Sequence, residues 1–350
     1  MSSHCASPFG SPASSGDKYF FCTYFDRNYL AQGITLYRSL VKQRIRFNMW
    51  ALCFDEYSHA LIRALDLPGL HALSVSELEE QDPALRAAKG NRSRVEYFFT
   101  CTPCLPLFLF DRFPEIDVIT YLDADLMFYS SPEPISRELG TDSILIIEHR
   151  FPERLRHFER HGIYNVGYLS FRNDRRGRDC LSWWRERCLE WCYDRPENGK
   201  FGDQKYLDDW PTRFPGVVVL KHKGAGLAPW NWMNYDIRAS EDKTTVDGDI
   251  LIFYHFQGLR ILTRSLFDPG VTQYESMPGN LRHHLYSAYV SSILGTETFV
   301  SGKIPGTKII SPRFFSRTYN PLTFLFRALR GQIMRIPVAG TPTENLESAR

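Results

Sequence analysis

The chain carries almost no net charge, few cysteines for its length and no long apolar run, and each shortage removes a class of function. Its 42 basic and 40 acidic residues leave a formal charge of +2, so no global field draws it to nucleic acid or to an acidic polymer. Eight cysteines in 350 residues are too sparse for the disulfide framework of a small secreted domain, and they read as reduced thiols. The longest apolar stretches, such as residues 217–220 and 144–147, fall far short of the roughly 18 residues a membrane-spanning helix needs. Residues 1–17 are rich in Ser, Gly and Pro and lack both an apolar signal core and an Arg-rich amphipathic pattern. They read as a flexible tail on a cytoplasmic protein.

What is present is the make-up of a folded globular chain: 43% hydrophobic, 14% aromatic and 23% charged. Strand-like runs at 18–25, 48–54, 70–74 and 118–121 alternate with helical spacing. Leu30, Ile34, Tyr37 and Val41 mark one helix over 28–41, and a second is expected over 58–65. Residues 77–94 read as a helix plus a loop, and 95–110 as a helix that Pro103 and Pro106 should bend or interrupt. Later strands are expected at 143–147, 168–171, 217–220 and 251–254, with a helix over 180–193. Strands alternating with helices predict an α/β fold, a doubly wound and mostly parallel sheet with helices on both faces, whose ligands sit at the carboxyl ends of the strands. The expected division is a tail of 1–17, a catalytic domain of 18–275 and a C-terminal appendage of 276–350. Within that appendage, 301–343 holds Lys303, Lys308, Arg313, Arg317, Arg327, Arg330 and Arg335 among aromatics with no acid. Such a segment suits peripheral contact with a membrane surface or packing on the domain.

Two cysteine pairs, Cys101 with Cys104 and Cys188 with Cys192, have metal-like spacing. Trp184, Cys188 and Cys192 recur every four residues, however, and so share one face of a helix. A buried helix face is the favoured reading, because free cysteine packs as a small hydrophobe. The stronger chemical signal is the hydrophobic strand that ends in Asp123-Ala124-Asp125. Carboxylates at i and i+2 lie on the same side of an extended backbone, and a pair of them offers oxygen ligands to Mg²⁺ or Mn²⁺, ions commonly completed by substrate phosphates.

Five short segments follow one another: Asp123-Ala124-Asp125, Asn165-Val166-Gly167, Gly202-Asp203-Gln204, Trp230-Asn231 and His255-Phe256-Gln257-Gly258. In this order and at these intervals the sequence resembles glycosyltransferase family 8 over residues 18–258. The resemblance implies a GT-A fold, a nucleotide-sugar donor such as a UDP-sugar, a hydroxyl acceptor, Mn²⁺ (or Mg²⁺) as cofactor, and transfer with retention at the anomeric carbon. It implies Asp123, Asp125 and His255 as metal ligands. An imidazole beside carboxylates moves preference from Mg²⁺ towards Mn²⁺ or a later metal. Asn165, Asp203 and Gln204 are implied near the reacting sugar, where positive charge develops in the transition state. Gly167 lets backbone come close to the ligand, Trp230 and Asn231 are candidates for a wall against the sugar, and Ala124 and Gly258 belong to the binding segments. Thr23, Tyr24 and Asp26 end the first strand where this fold receives the base, and helix capping by Asp26 or Asn28 is an equal alternative.

The pattern is also broken in two places. An Arg usual before the helix of 95–110 is missing, with Arg94 or Glu96 as stand-ins. The Lys-Pro-Trp that commonly follows the last His is absent, which leaves Arg260 or Arg264 to neutralise a diphosphate. Two rival readings accompany this one. A haloacid-dehalogenase-type phosphohydrolase would use Asp123 as nucleophile, although Met127 stands where that family has Thr or Val. An inactive nucleotide- or sugar-binding module on the same fold would keep the ligands without turnover.

Overall fold

Alternation along the first strand sets the layers. β1 (Lys18–Phe25) sends Phe21 and Phe25 into one hydrophobic cluster and Cys22 into another, as the two-residue period of an extended chain requires. β2 (Arg46–Cys53) divides in the same way, with Met49 and Ala51 on one side and Trp50 and Leu52 on the other. The computed structural model describes residues 18–240, 243–271, 274–310, 320–330 and 332–335. The tail of 1–17, Arg313 and Arg317 lie outside the described residues.

The remaining main strands are β3 (Leu70–Ser74), β4 (Val118–Leu122), β5 (Leu126–Phe128), β6 (Ile144–Glu148), β7 (Tyr164–Arg172) and β8 (Val217–Val219). Of the eight strands, all but β5 form one sheet in the order β3-β2-β1-β4-β7-β6-β8. Pairs β1–β2, β2–β3, β1–β4 and β6–β8 are parallel, whereas β7 runs antiparallel to both β4 and β6. The sheet is therefore mixed but mostly parallel.

Helices α1 (Leu30–Lys42) and α2 (Glu56–Leu65) cover the Phe21 face, and the two α3 (Val75–Gln81) and α4 (Pro83–Ala88) segments lead into α5 (Arg94–Arg112). α5 and α7 (Arg175–Glu190) cover the Cys22 face, while α6 (Glu133–Leu139) bridges β5 and β6. The later helix Ala288–Lys303 packs on α1, and Tyr289, Val290, Ile293 and Val300 join the Phe21 cluster.

Local chemistry explains several boundaries. α2 starts two residues earlier than the pattern of 58–65 because Asp55 accepts from the Ser58 amide at 2.8 Å and fixes the cap. The stretch of 77–94 is mostly helical: Ser74–Glu77 forms a capping box, and Pro83 sits at the start of α4 where its missing N–H is no loss. α5 is a continuous 19-residue helix with Pro103 and Pro106 inside it, so of the expected bend or interruption the second does not occur. Ser93 and Glu96 cap its start, and burial from Tyr97 to Phe110 between the sheet and α7 outweighs the lost backbone bonds. α7 stops at Glu190, where Trp191 is extended, so Cys192 lies beyond the helix that was expected to carry it, though it is still buried. Val41, assigned to the buried stripe of α1, is 48% exposed because the last turn passes the edge of the core.

Candidate active site

The strand order turns between β1 and β4, which lie parallel and side by side, so their carboxyl ends open a crevice at the switch point. β4 ends at Leu122 and the chain turns through Asp123, Ala124 and Asp125 into β5. The Asp123 amide donates to the Gly167 carbonyl at 3.0 Å, and the Leu126 amide donates to the Asp123 carbonyl at 3.2 Å. His255 arrives from far along the chain because the short strand Phe253–His255 pairs antiparallel with β5, placing His255 opposite Leu126. The Phe256 amide then donates to the Asp125 carbonyl at 3.0 Å.

These pairings converge three side chains. His255 Nε2 lies 3.1 Å from Asp125 Oδ1 and 3.6 Å from Asp123 Oδ2, and one ligand atom from each residue falls within 4.8 Å of the others. The Tyr121 hydroxyl donates to Asp123 Oδ1 at 2.7 Å, fixing the carboxylate with its second oxygen towards the imidazole. Burial raises the Asp123 carboxyl above its ordinary range, with His255 pulling it down and Asp125 adding to the rise. Burial opposes charge on His255, but the Asp125 and Asp123 carboxylates outweigh it and hold the imidazole above its usual value. Two carboxylate oxygens and one imidazole nitrogen in mutual reach make a donor set that fits a divalent cation of the Mn²⁺ or Mg²⁺ kind. Among the described residues this is the one such group.

Gly167 is dictated by the same convergence. A Cβ there would lie 2.6 Å from Asn165 Oδ1 and 2.9 Å from His255 Cε1, closer than real side chains come. Asn165 accepts from the Gly167 amide at 2.8 Å, and its Nδ2 sits 3.2 Å from His149 Nε2.

In front of the three ligands lies a cavity of ≈ 510 Å³, lined by Tyr24, Asp26, Arg94, Phe98, Phe99, Ala124, Asp123, Asp125, His255 and Gln257, among others. Tyr24 forms part of its wall, packing against Phe54 and Tyr121 with ring centres 5.5 and 5.4 Å away. Asp26 accepts from the amide and the side chain of Asn28, both at 2.8 Å, and pairs with Arg94 at 3.0 Å. Arg94 thus stands at the cavity, whereas Glu96 is tied into the cap of α5.

Other expected site residues lie around or behind this cavity. Thr23 is fully buried, and its hydroxyl lacks a partner among the described residues. Asp203 is buried, with Oδ2 unpartnered among the described residues; burial pushes its carboxyl up to about 7, and the charge of Asp123 adds to the rise. Gln204 donates to the His161 carbonyl at 3.1 Å.

Trp230 is 2% exposed and sits behind His255, ring centres 5.3 Å apart, while its Nε1 donates to the His149 carbonyl at 2.9 Å. Asn231, fully buried, donates to the carbonyls of His149 and Gly226 and accepts from the Ala228 amide, each at 2.9 Å. The pair therefore locks the loop that backs His255. Gly258 makes the turn after Gln257 with a φ of +83°. Arg260 lines a small cleft that shares Asn28 and Tyr29 with the cavity in front of the ligands, and Arg264 pairs with Glu297 at 3.0 Å.

The sequence pattern passed over His149. Its Nδ1 faces the Ile163 carbonyl at 3.1 Å and its Nε2 faces the Asn165 amide, an arrangement that needs the neutral ring with the proton on Nδ1. Burial drives its protonation down to about 3. Its position at the end of β6, beside a strand that carries an expected site residue, was the available signal.

No family model matches the chain. It is 35% identical over 251 residues to the uncharacterized protein YfnF of Bacillus subtilis strain 168, covering 69% of this chain and 82% of that protein. It is 30% identical over 253 residues to the uncharacterized protein YfnD of the same strain, covering 71% and 81%. Among solved structures it is similar to the galactosyltransferase LgtC in complex with donor and acceptor sugar analogs, with a TM-score of 0.50, 17% identity, and 76% of this chain and 100% of that chain covered. That likeness shows the fold, which is of the GT-A type. Mouse xyloside xylosyltransferase 1 gives a TM-score of 0.43 at 15% identity, over 69% and 98% of the two chains.

Proposed function

The chain belongs to the family of YfnF and YfnD, and on that premise, with its GT-A fold, we propose that it is a metal-dependent glycosyltransferase acting on a nucleotide-sugar donor and a hydroxyl acceptor. The observation that carries the reading is the convergence of Asp123, Asp125 and His255 at the mouth of a cavity at the strand ends. A divalent cation bound by these three would neutralise a leaving diphosphate as a Lewis acid. Everything else is supplied by the chain. Tyr121 orients Asp123, Gly167 leaves room for His255, and Trp230 and Asn231 hold the loop behind it.

The Tyr24 wall and the Asp26–Arg94 pair offer an aromatic surface and polar groups to a nucleotide base and ribose. Asp203, Gln204 and Asn165 belong to the sugar side of the reading. UDP as the nucleotide, Mn²⁺ as the metal and retention at the anomeric carbon are carried by the resemblance of the five segments. The test is a panel of nucleotide sugars with Mn²⁺, Mg²⁺ or chelator, scored by release of the nucleotide diphosphate. Metal-dependent release from one donor supports the reading. Binding of metal and nucleotide with neither transfer nor hydrolysis would establish the inactive module instead, and a phosphoenzyme on Asp123 the phosphohydrolase.

No helix among the described residues is long and apolar enough to cross a membrane. The reading includes peripheral membrane contact through 301–343, supported by the helix Pro321–Leu329. It leaves Leu322, Leu325, Phe326 and Leu329 more than half exposed at helical spacing, a stripe suited to an interface. Vesicle co-sedimentation with and without residues 301–350 tests it, equal binding by both forms counting against.

A further inference from the structure

A second cavity of ≈ 490 Å³ lies at the far end of β5 from the acid pair, between α1 and the helix Ala288–Lys303. Its volume is nearly that of the site in front of Asp123, and falls within the roughly 300–1,000 Å³ of small-molecule pockets. No carboxylate lines it. Two cations do, Arg38 and Lys42, one turn apart on the same face of α1.

Neither cation is matched by an acid among the described residues. Arg38 donates from Nη1 to Thr296 Oγ1 at 2.8 Å and lies over the Phe299 ring at 4.8 Å, which leaves most of its N–H donors unused. Among the described residues Lys42 makes no hydrogen bond or ion pair, and neither does the hydroxyl of Ser291. A half-buried guanidinium loses hydration that only a counter-charge or a set of acceptors restores. The floor of the cavity is settled by contrast. Thr35 and Thr296 share a hydrogen bond at 2.9 Å, and Ser39 accepts from the Phe128 amide at 3.0 Å.

We propose that this cavity is a second ligand site, distinct from the metal cluster, which takes a phosphate monoester on a hydroxyl-bearing carrier. Two cations match the charge of about −1.5 to −2 on such a phosphate at neutral pH better than the single charge of a carboxylate. Ser291 suits the carrier's hydroxyls. The same chemistry is offered by a soluble sugar phosphate and by the phosphorylated headgroup of a lipid, and the site does not depend on the glycosyltransferase reading.

The test is titration calorimetry of the full chain in excess chelator with inorganic phosphate and with a hexose phosphate, alongside co-sedimentation with vesicles bearing a phosphoinositide. Saturable binding to at least one probe is expected. It should be weakened at least about tenfold by R38Q with K42Q and unchanged by D123N. K42Q alone, at an exposed position, should weaken it in the same direction and guards against a folding defect in the double variant. Binding of the hexose phosphate identifies a soluble ligand, and binding to vesicles alone identifies a headgroup. No saturable binding to any probe overturns the proposal, as does equal affinity in R38Q with K42Q, or a loss seen only in D123N.

Discussion

Two groups of metal-ligand side chains occupy this molecule, and only one of them is built to grip an ion. At the strand ends, Asp123, Asp125 and His255 bring oxygen and nitrogen atoms within 4.8 Å of each other beside an open cavity. Across the sheet, Cys101 and Cys104 of α5 approach Cys188 of α7 and Cys192 beyond it, all four at most 3% exposed. Burial raises the thiols of Cys101, Cys104 and Cys188 well above their ordinary value, so they remain protonated. Among the described residues the sulfurs do not form a group with ligand atoms in the mutual reach an ion needs, and a buried free thiol packs as a small hydrophobe. Each group is built from close neighbours in the chain, i+2 for the acids and i+3 and i+4 for the thiols; convergence of charged atoms at a wet surface is what separates them.

The largest effect that would test this contrast comes from removing one carboxylate. Asp123→Ala is expected to lower metal-dependent turnover by at least about 100-fold, since loss of a mere outer partner commonly costs 10–100-fold. It should also abolish the rise in melting temperature on adding Mn²⁺, while Cys101→Ala leaves both within about twofold of the parent. Nucleotide release and a thermal shift measure the two. Comparable turnover in Asp123→Ala would erase the distinction between the clusters. A smaller effect follows from Tyr121→Phe, which deletes the donor to Asp123 Oδ1 and keeps the ring in the core. Metal affinity should fall by about 10–100-fold with little change in stability without metal, as read by calorimetric titration of Mn²⁺.

Much of this contrast was legible beforehand, and what was not has identifiable physical causes. The alternation of Phe21, Cys22 and Phe25, the helical spacing through Ile34 and Tyr37, and the acids at the end of β4 are local patterns that a sequence displays directly. The reversal of β7 is not local, because a strand buried on both faces reads alike in either direction. Nor is the role of Trp230 and Asn231. An aromatic and an amide in a Gly/Pro-flanked loop suit a sugar site, but here their hydrogen bonds run to backbone at His149 and Gly226. His149 escaped notice because nothing in its neighbourhood in the chain shows that Asn165 and Trp230 will surround it. The continuity of α5 through two prolines likewise reflects tertiary burial, which propensity alone does not contain.

The two regions should also differ in their response to acid. His149 in the folded chain takes a proton only near 3, against about 6.5 when unfolded, so between those values the unfolded chain binds more protons. Stability from this residue is fully present above about pH 6.5 and is lost as pH falls towards 3, by up to about 1.4 kcal/mol per unit. His149→Gln should flatten that slope in urea titrations at pH 7 and pH 5. An unchanged slope would mean that the buried ring is not the acid-sensitive element of this side.

The smallest effect belongs to the cysteines and is the most direct check on the contrast, because a hidden metal centre and a packed core respond oppositely. Cys188 is fully buried against α5, so Cys188→Ala removes one sulfur from a close-packed interior and should cost about 1 kcal/mol, in the range of a lost methyl group. Cys188→Ser should cost more, because its hydroxyl would be desolvated in a cluster of thiols and aromatic rings. In the native parent, alkylation of these thiols should be as slow as global opening and unaffected by chelator, since neither thiolate nor access is available until the layers separate. A centre built on the four sulfurs would behave in the reverse way: chelator would expose reactive thiols and lower the melting temperature, and serine and alanine would be equally damaging because either removes a ligand.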